Sequence, residues 1–429
     1  MSLILMVAFF VLLFIGVPVF LSMGISTFVS FVISGRIPLL IFSQRVFSGI
    51  DTFPIMTIPL FILAADLMSS GKLTELLIDF ANDMIGHVVG GLGHVNVLVS
   101  MIFAGISGSA MADAAGPGAI IMKMMRKAGY DRYYSGALTA ASSVIGIIIP
   151  PSIPMVIYAL GDPKTSITGL FLAGVVPGVL IGVVLMTYNA WMSIKSGYRF
   201  AVKKATVKQR VRSTFRALPA LIMPGIIVGF TLGGITTPTE ASAIAVAYAL
   251  VVGLFVTKTL KFTNLPKIFL QSAIVASSVL MIVAMGSAFS WSLTYARVPQ
   301  TAALFISSLT TNPVILLALI ALLTIITGMF VDTLPAVMIL TSVLAPIANS
   351  VGIDSHQVAT VIIVGIGIGM LTPPIAPLLF ITSSIGKIKL EKLISSTLPL
   401  VLTEVLVLIL LILVPEISLW LPRFFGLIK

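Results

Sequence analysis

The chain has 429 residues, 58% hydrophobic and 9% charged, with a formal net charge of +11. An ordinary soluble domain carries roughly 25% charged residues, so this composition excludes one. Apolar runs approaching the ~20 residues of a bilayer-spanning helix, with none of the short alternating segments of a β-barrel, predict an all-α polytopic membrane protein.

In chain order, spans are expected near 2–16, 17–34 and 53–70, then an amphipathic stretch at 74–89. Met1 to Phe14 has no basic segment of the signal-peptide kind, so it reads as the first span. A re-entrant hairpin at about 92–125 precedes a broken span at 133–160 and a span at 168–194. After a basic linker come spans near 217–236, 238–256 and 267–291, and a second amphipathic stretch near 293–310. A hairpin at about 313–347, a broken span at 356–385 and a span at 396–415 complete the chain.

Lys and Arg then set the orientation. With 195–216 on the cytoplasmic side, 19 of the 25 basic residues fall there, leaving only Arg36, Arg45, Lys164, Arg297, Arg423 and Lys429 outside. Both chain ends lie outside in this reading, and the two hairpins enter from opposite faces. The halves, 1–194 and 217–429, are therefore expected to be inverted-topology repeats, each with a re-entrant hairpin and a discontinuous helix, joined by the linker 195–216. Lys195–Arg216 has eight basic residues and no acid, with Val207, Val211, Phe215 and Leu218 at helical spacing. It reads as a positive-inside linker, part of which can lie along an anionic membrane surface, and not as a nucleic-acid patch.

Two matched segments carry the chemistry. Ser107-Gly108-Ser109 and Asp113 precede Pro150-Pro151-Ser152 as Gly328 and Asp332 precede Thr372-Pro373-Pro374, with an offset of about 220 residues. A proline pair cannot continue a helix: each removes a donor and pushes the preceding residue out of helical geometry. Opened backbone at membrane depth is tolerated only when buried or lining a cavity. Carbonyls freed before Pro150 and Pro373 can ligate a hard cation, Ser107 and Ser109 add hydroxyls, and Gly108 allows close approach. Such neutral oxygens suit Na⁺. The half-helix starting near Ser152 points its positive end inward; Ser109, Pro151, Ser152 and Pro374 are the residues expected against a substrate.

Asp66, Asp113, Glu240, Asp332 and Glu404 lie in or near apolar segments, where an ionisable group is a functional candidate by default. Asp113 and Asp332, just past the hairpin breaks, are expected to cap the second half-helices or to act on Na⁺ indirectly. Glu240 sits in a first helical turn and reads as structural, while Asp66 and Glu404 carry no assignment. No Lys or Arg occurs between Tyr133 and Pro163 or between Val298 and Gly386, so bound Na⁺ and helix N-termini would have to neutralise an anionic substrate. Gly365-Ile366-Gly367-Ile368-Gly369 lacks the spacing and preceding strand of a dinucleotide fingerprint. No Walker A sequence is present, His87, His94 and His356 are scattered, and nothing suggests an enzyme.

Several motifs together resemble one family. They are Ile58-Pro59-Leu60-Phe61, Gly105-Ile106-Ser107-Gly108-Ser109-Ala110 with Ala112-Asp113-Ala114, and Ala128-Gly129-Tyr130. Ile149-Pro150-Pro151-Ser152-Ile153-Pro154, Thr237-Pro238-Thr239-Glu240-Ala241 and Leu371-Thr372-Pro373-Pro374 extend the match in order over nearly the whole chain. It is similar to the large membrane (M, DctM-type) subunit of tripartite ATP-independent periplasmic (TRAP) transporters, with a lean toward the sialic acid members. The resemblance implies Na⁺-coupled import of an organic acid anion, of the sialic acid or C4-dicarboxylate class, across the bacterial inner membrane by elevator-like alternating access. It implies a periplasmic substrate-binding protein and a separate small four-helix membrane subunit as partners. It places at least two Na⁺ sites at the hairpin tips and breaks, at Ser107, Gly108, Ser109, Asp113 and Pro150 and at Gly328, Asp332, Thr372 and Pro373. A stand-alone Na⁺/dicarboxylate symporter of similar design is the alternative, and a passive channel or membrane scaffold a remote one.

Overall fold

A computed structural model describes residues 1–35, 37–198, 204–302, 310 and 312–428. Every regular element among them is helical, and eight stretches are long and apolar enough to cross a bilayer. Helices dominate because, without water, each backbone N–H and C=O must be satisfied within its own segment.

The first half contains α1 Ser2–Phe14, α2 Val19–Ser34, α3 Leu39–Ile50, α4 Thr57–Ser70 and α5 Leu73–Ile85. A hairpin follows: α6 Gly91–Ser107 descends to a tip, and α7 Ala110–Asp113 returns through a π-helical turn, Ala114–Gly118, into α8 Ala119–Lys127. Next come α9 Arg132–Ser143, which tightens into a 3₁₀ turn at Val144–Ile147, then α10 Ile153–Gly161 and α11 Ile167–Ser196. The second half has α12 Val207–Leu232, α13 Pro238–Val251 and α14 Leu265–Tyr295, then the hairpin α15 Pro313–Phe330 and α16 Thr333–Ser350. The interrupted pair α17 Ser355–Gly369 and α18 Pro377–Gly386, then α19 Leu390–Leu413 and α20 Glu416–Phe424, complete the fold. Hairpin, interrupted helix and long helix thus recur in the same order in each half.

Burial separates the helices into a centre and a surround. All of α17 is buried, as is almost all of α9. These two interrupted helices are enclosed by the hairpins, α11 and α19. In the surround, α4 packs on α13, and α14 packs on α2, α3, α4 and α16. Two polar contacts tie it together: the buried Thr57 and Thr239 hydroxyls lie 2.8 Å apart, and Ser272 donates to half-buried Asp66 at 2.5 Å. Asp66 thereby gains a structural partner.

The expected elements are present with three differences. The chain between the second and third spans forms α3, an interfacial helix with no buried residue, which a search for long apolar runs passes over. The linker helix is not separate from the following span: a Thr206–Gln209 capping box starts α12, which runs unbroken into the membrane region. Val207, Val211, Phe215 and Leu218 stay exposed on it. The chain also continues past the last expected span into α20, where the Ser418 and Thr360 hydroxyls lie 2.8 Å apart. Arg36, Arg199, Lys203 and Lys429 of the charge count, and 303–309 of the stretch 293–310, lie outside the described residues.

Candidate functional site

The first break forms because α9 ends in a tight turn that meets Pro150-Pro151, whose peptide bond is cis. Ser152 spans the gap: its hydroxyl donates to the Ile147 carbonyl at 2.6 Å and accepts from the Met155 N–H at 3.3 Å, capping α10. Among the described residues, no hydrogen bond ends on the carbonyls of Ile148, Ile149, Pro150 or Pro151. The chain thus opens four carbonyl oxygens between α9 and α10.

The first hairpin tip docks into this gap. Gly108 turns the chain at φ +61°, and its carbonyl accepts from the Ile153 N–H at 3.4 Å. A β-carbon on Gly108 would lie 2.6 Å from the Pro151 carbonyl oxygen, and one on Gly146 would lie 2.9 Å from that of Ser109. Ser107 Oγ lies 3.4 Å from the Ser109 amide, and Ser109 caps α7 by accepting from Ala112 N–H at 3.4 Å.

Asp113 does not have the capping role expected of it, because Ser109 already holds the helix start. Its fully buried carboxylate accepts from Ser100 on α6 at 2.7 Å, and the Ser100 hydroxyl lies 3.1 Å from that of Ser142 on α9. Asp113 therefore ties both arms of the hairpin to the interrupted helix. Asp332 does cap, accepting from Thr333 N–H at 2.7 Å at the start of α16. Glu240 closes a capping box with Thr237, as its place in a first turn suggests.

The second break has the same plan with different details. Pro373-Pro374 is again cis, Thr372 donates to the Ile368 carbonyl at 2.8 Å, and the Ile375 N–H reaches back to Met329 in the second hairpin at 3.3 Å. Among the described residues, the carbonyls of Leu371 through Ile375 accept no hydrogen bond. Gly328 lets α15 touch α17 directly: a β-carbon there would sit 2.5 Å from the Ile366 carbonyl oxygen. No side chain caps α18, which leaves through Ala376 at φ +48°. Pro150 and Pro151 are buried, whereas Pro373 and Pro374 are exposed.

Both tips and the helix ends that flank the two breaks line one cavity of about 320 Å³, while the residues of the breaks themselves, 148–152 and 371–376, do not line it. Gly108, Ser109, Ala110 and Met111 line it from the first hairpin, and Asp332, Thr333 and Leu334 from the second. Ile147, Ile153 and Pro154 come from the first interrupted helix, and Met370 from the second. The fourth wall is Val275, Ser278, Val279 and Ile282 of α14. None of these residues is Lys or Arg and one, Asp332, is an acid, so the positive ends of α10 and α16, which open here, are among the described residues the only cationic character the walls offer. Of the residues expected against a substrate, Ser109 lines the cavity, while Pro151, Ser152 and Pro374 do not. Ser152 is withdrawn because its hydroxyl is spent bridging the break. The α14 wall went unanticipated, since a lone Ser278 in an apolar run marks no face.

Removing the Ser152 hydroxyl tests the break. Ser152→Ala loses a buried cap, which costs about 0.5–2 kcal/mol, and leaves the Ile147 carbonyl without its donor. A lowered unfolding midpoint in detergent is expected, with uptake reduced more than amounts of protein. Wild-type stability would show that the hydroxyl does not hold the break.

Two helical hairpins and two interrupted helices gathered around one cavity match the broken-helix design of membrane transporters. The chain matches the family of tripartite ATP-independent periplasmic transporter DctM components over residues 6–417, and it belongs to that family. It is 37% identical to the sialic acid TRAP transporter large permease protein SiaM of Vibrio cholerae, over 96% of both chains. It is 33% identical to the C4-dicarboxylate TRAP transporter large permease protein DctM of Pseudomonas aeruginosa, over 92% of this chain and 94% of that one. The isethionate TRAP transporter permease protein DctMQ of Oleidesulfovibrio alaskensis is 36% identical, and this chain spans 65% of its length. The Alcanivorax borkumensis YdaH transporter shares the fold with a TM-score of 0.68 at 16% identity, over 91% of this chain and 90% of that one. The chain is thus a multi-pass TRAP permease component and not an enzyme.

Proposed function

We propose that this permease is the large subunit of a Na⁺-coupled importer that moves an organic acid anion across the bacterial inner membrane by elevator-like alternating access. The observation that carries the reading is the convergence of two hairpin tips and two opened helices on one cavity without a fixed cation. The freed carbonyls beside Pro150 and Pro373 offer neutral oxygens of the kind a hard alkali cation takes. In this reading Ser107, Gly108, Ser109 and Asp113 serve the first cation, and Gly328, Asp332 and Thr372 the second. Cations bound there would supply the positive charge that the cavity walls lack, so anion affinity would rise with Na⁺ occupancy. Relatives named for sialic acid and C4-dicarboxylate make those two classes the first substrates to try.

A periplasmic binding protein and a small four-helix membrane subunit complete the proposed assembly, the latter consistent with the longer relative named DctMQ. Both chain ends would face the periplasm, and the halves would be related by inversion across the membrane. The test is uptake into proteoliposomes holding this chain and its small subunit, with candidate binding proteins and imposed Na⁺ gradients. Accumulation should need both the inward Na⁺ gradient and the binding protein; uptake without that protein would make the chain a stand-alone symporter. Ser107→Ala and Thr372→Val should each raise the Na⁺ concentration for half-maximal uptake by several-fold without loss of folded protein. Unchanged Na⁺ dependence in both would sink the assignment of the two breaks.

A further inference from the structure

Glu404 on α19 takes no part in the site described above. It is 1% exposed, and neither carboxylate oxygen has a hydrogen-bond partner among the described residues. Asp66, Asp113 and Asp332 each have a donor; Glu404 is the carboxylate of the membrane core that lacks one.

Contacts around α19 fix its depth. A β-carbon on Gly136 of α9 would lie 3.1 Å from Leu393, near the start of α19. Gln357 of α17 donates to the Leu411 carbonyl at 3.0 Å, near its end. A β-carbon on Gly367 would lie 2.5 Å from Val144. Glu404 lies roughly 16 Å along the helix from Leu393 and roughly 10 Å from Leu411. That is the level of the 3₁₀ turn Val144–Ile147, just before the first break.

The helices packed on α19 are α9, α11, α15, α17, α18 and α20. Their ionisable side chains sit in the end turns of these helices, except Tyr188, about two turns inside the end of α11. On α9 they are Arg132, Tyr133 and Tyr134, and on α11 Tyr188 and Lys195. These share one level, since Tyr134 OH lies 3.0 Å from Asn189. His356 begins α17, Glu416 and Arg423 are on α20 beside that same end, and Glu391 and Lys392 are in the first turn of α19 itself. The helices α15 and α18 have none. Among the described residues Glu404 therefore has no protein cation at its own depth to pair with, and an isolated carboxylate in an apolar interior must be neutralised.

We propose that Glu404 is a monovalent-cation site buried within the bundle, its carboxylate neutralised by a proton or by Na⁺ behind the broken helices. A glutamate in this position makes the packing of α19 on α9 and α17 depend on cation occupancy, separately from the hairpin tips.

The test reads stability, so its outcome is independent of whether the chain transports an organic acid. The full chain with its small subunit is unfolded thermally from about pH 6 to about pH 9, above the ordinary glutamate range, in choline buffer and in Na⁺ buffer. A bound proton predicts a wild-type midpoint that falls by several degrees across this range in choline, with a flatter curve for Glu404→Gln. A bound Na⁺ predicts that Na⁺ restores the wild-type midpoint at high pH and raises that of the Gln variant less. Should the Gln variant not fold, Glu404→Met, neutral and of similar length, takes its place in both titrations. Parallel wild-type and variant curves in pH and in Na⁺ would overturn the proposal.

Discussion

Gly108→Ala is expected to reduce the proposed Na⁺-driven uptake by about 100-fold while the protein still inserts in the membrane. At φ +61° a side chain costs roughly 1–2 kcal/mol in backbone strain. The larger effect is steric. The added carbon would lie 2.6 Å from the Pro151 carbonyl oxygen and 3.2 Å from the Ile153 nitrogen. Both are backbone atoms of a buried break, so neither can swing away as a flexible side chain would. The hairpin tip must withdraw, breaking the bond between the Gly108 carbonyl and Ile153 N–H and displacing the oxygens that face the opened carbonyls. A misplacement of about 1 Å at a binding constellation can cost on the order of 100-fold in rate. Gly197 supplies the control: it has φ +70° but no atom within 4 Å of an added β-carbon. Gly197→Ala therefore carries the strain without the collision, and its uptake should stay within about twofold of wild type. Initial rates and unfolding midpoints for the two variants separate the effects. Equal rates would show that the tip need not touch the break.

The parts of this fold that were legible in the sequence are those where chemistry forbids an alternative. Two proline pairs in apolar runs have to open a helix, and each break lies where the prolines stand. Ser107-Gly108-Ser109 reads as a small-residue break that lets backbone approach closely, and Thr237-Pro238-Thr239-Glu240 reads as a helix start. Roles set by distant partners were hidden. Asp113 stands in the first turn of a half-helix, where a cap is the local expectation, yet its partners are Ser100 in the opposing arm and Ser142 on α9. Ser109 had taken the cap, a competition between neighbours that spacing cannot decide. The α14 wall is hidden for a related reason: on a helix that is apolar all round, only the packing of its neighbours says which side faces a cavity. The unequal burial of the two breaks likewise depends on which helices cover them.

Asp113→Asn and Asp113→Ala should separate the anchoring role of this carboxylate from its charge. Alanine removes the acceptor, leaving the buried Ser100 hydroxyl only its longer contact with Ser142; losing a hydrogen bond to a charged group costs about 1.5–3 kcal/mol, and the substitution unties the second arm of the hairpin from α6 and α9. Uptake by the Ala variant is expected to fall by at least tenfold, with a lowered unfolding midpoint. Asparagine keeps the volume and an oxygen that can accept from Ser100, so its midpoint should stay near wild type. What it loses is negative charge four residues from the Ser109 cap. If Na⁺ binds between the tip and the first break, that loss should raise the Na⁺ concentration for half-maximal uptake by about tenfold, equivalent to about 1.4 kcal/mol, with little change in maximal rate. Ser100→Ala completes the cycle. It removes the hydrogen bond and keeps the charge, so its defect should appear in stability more than in Na⁺ affinity, and the double variant should show coupling in the first quantity and near-additivity in the second. An Asn variant with wild-type Na⁺ dependence would reduce Asp113 to a packing anchor and leave the neutral oxygens of Ser107, Ser109 and the opened carbonyls to hold the cation. The contrast with Asp332 follows from the geometry: it lines the cavity and caps α16, so Asp332→Asn keeps the cap and removes a negative charge from the path of an anionic substrate. Because Asp332 also stands at the second proposed Na⁺ position, its effect should appear in Na⁺ affinity as well as in substrate affinity.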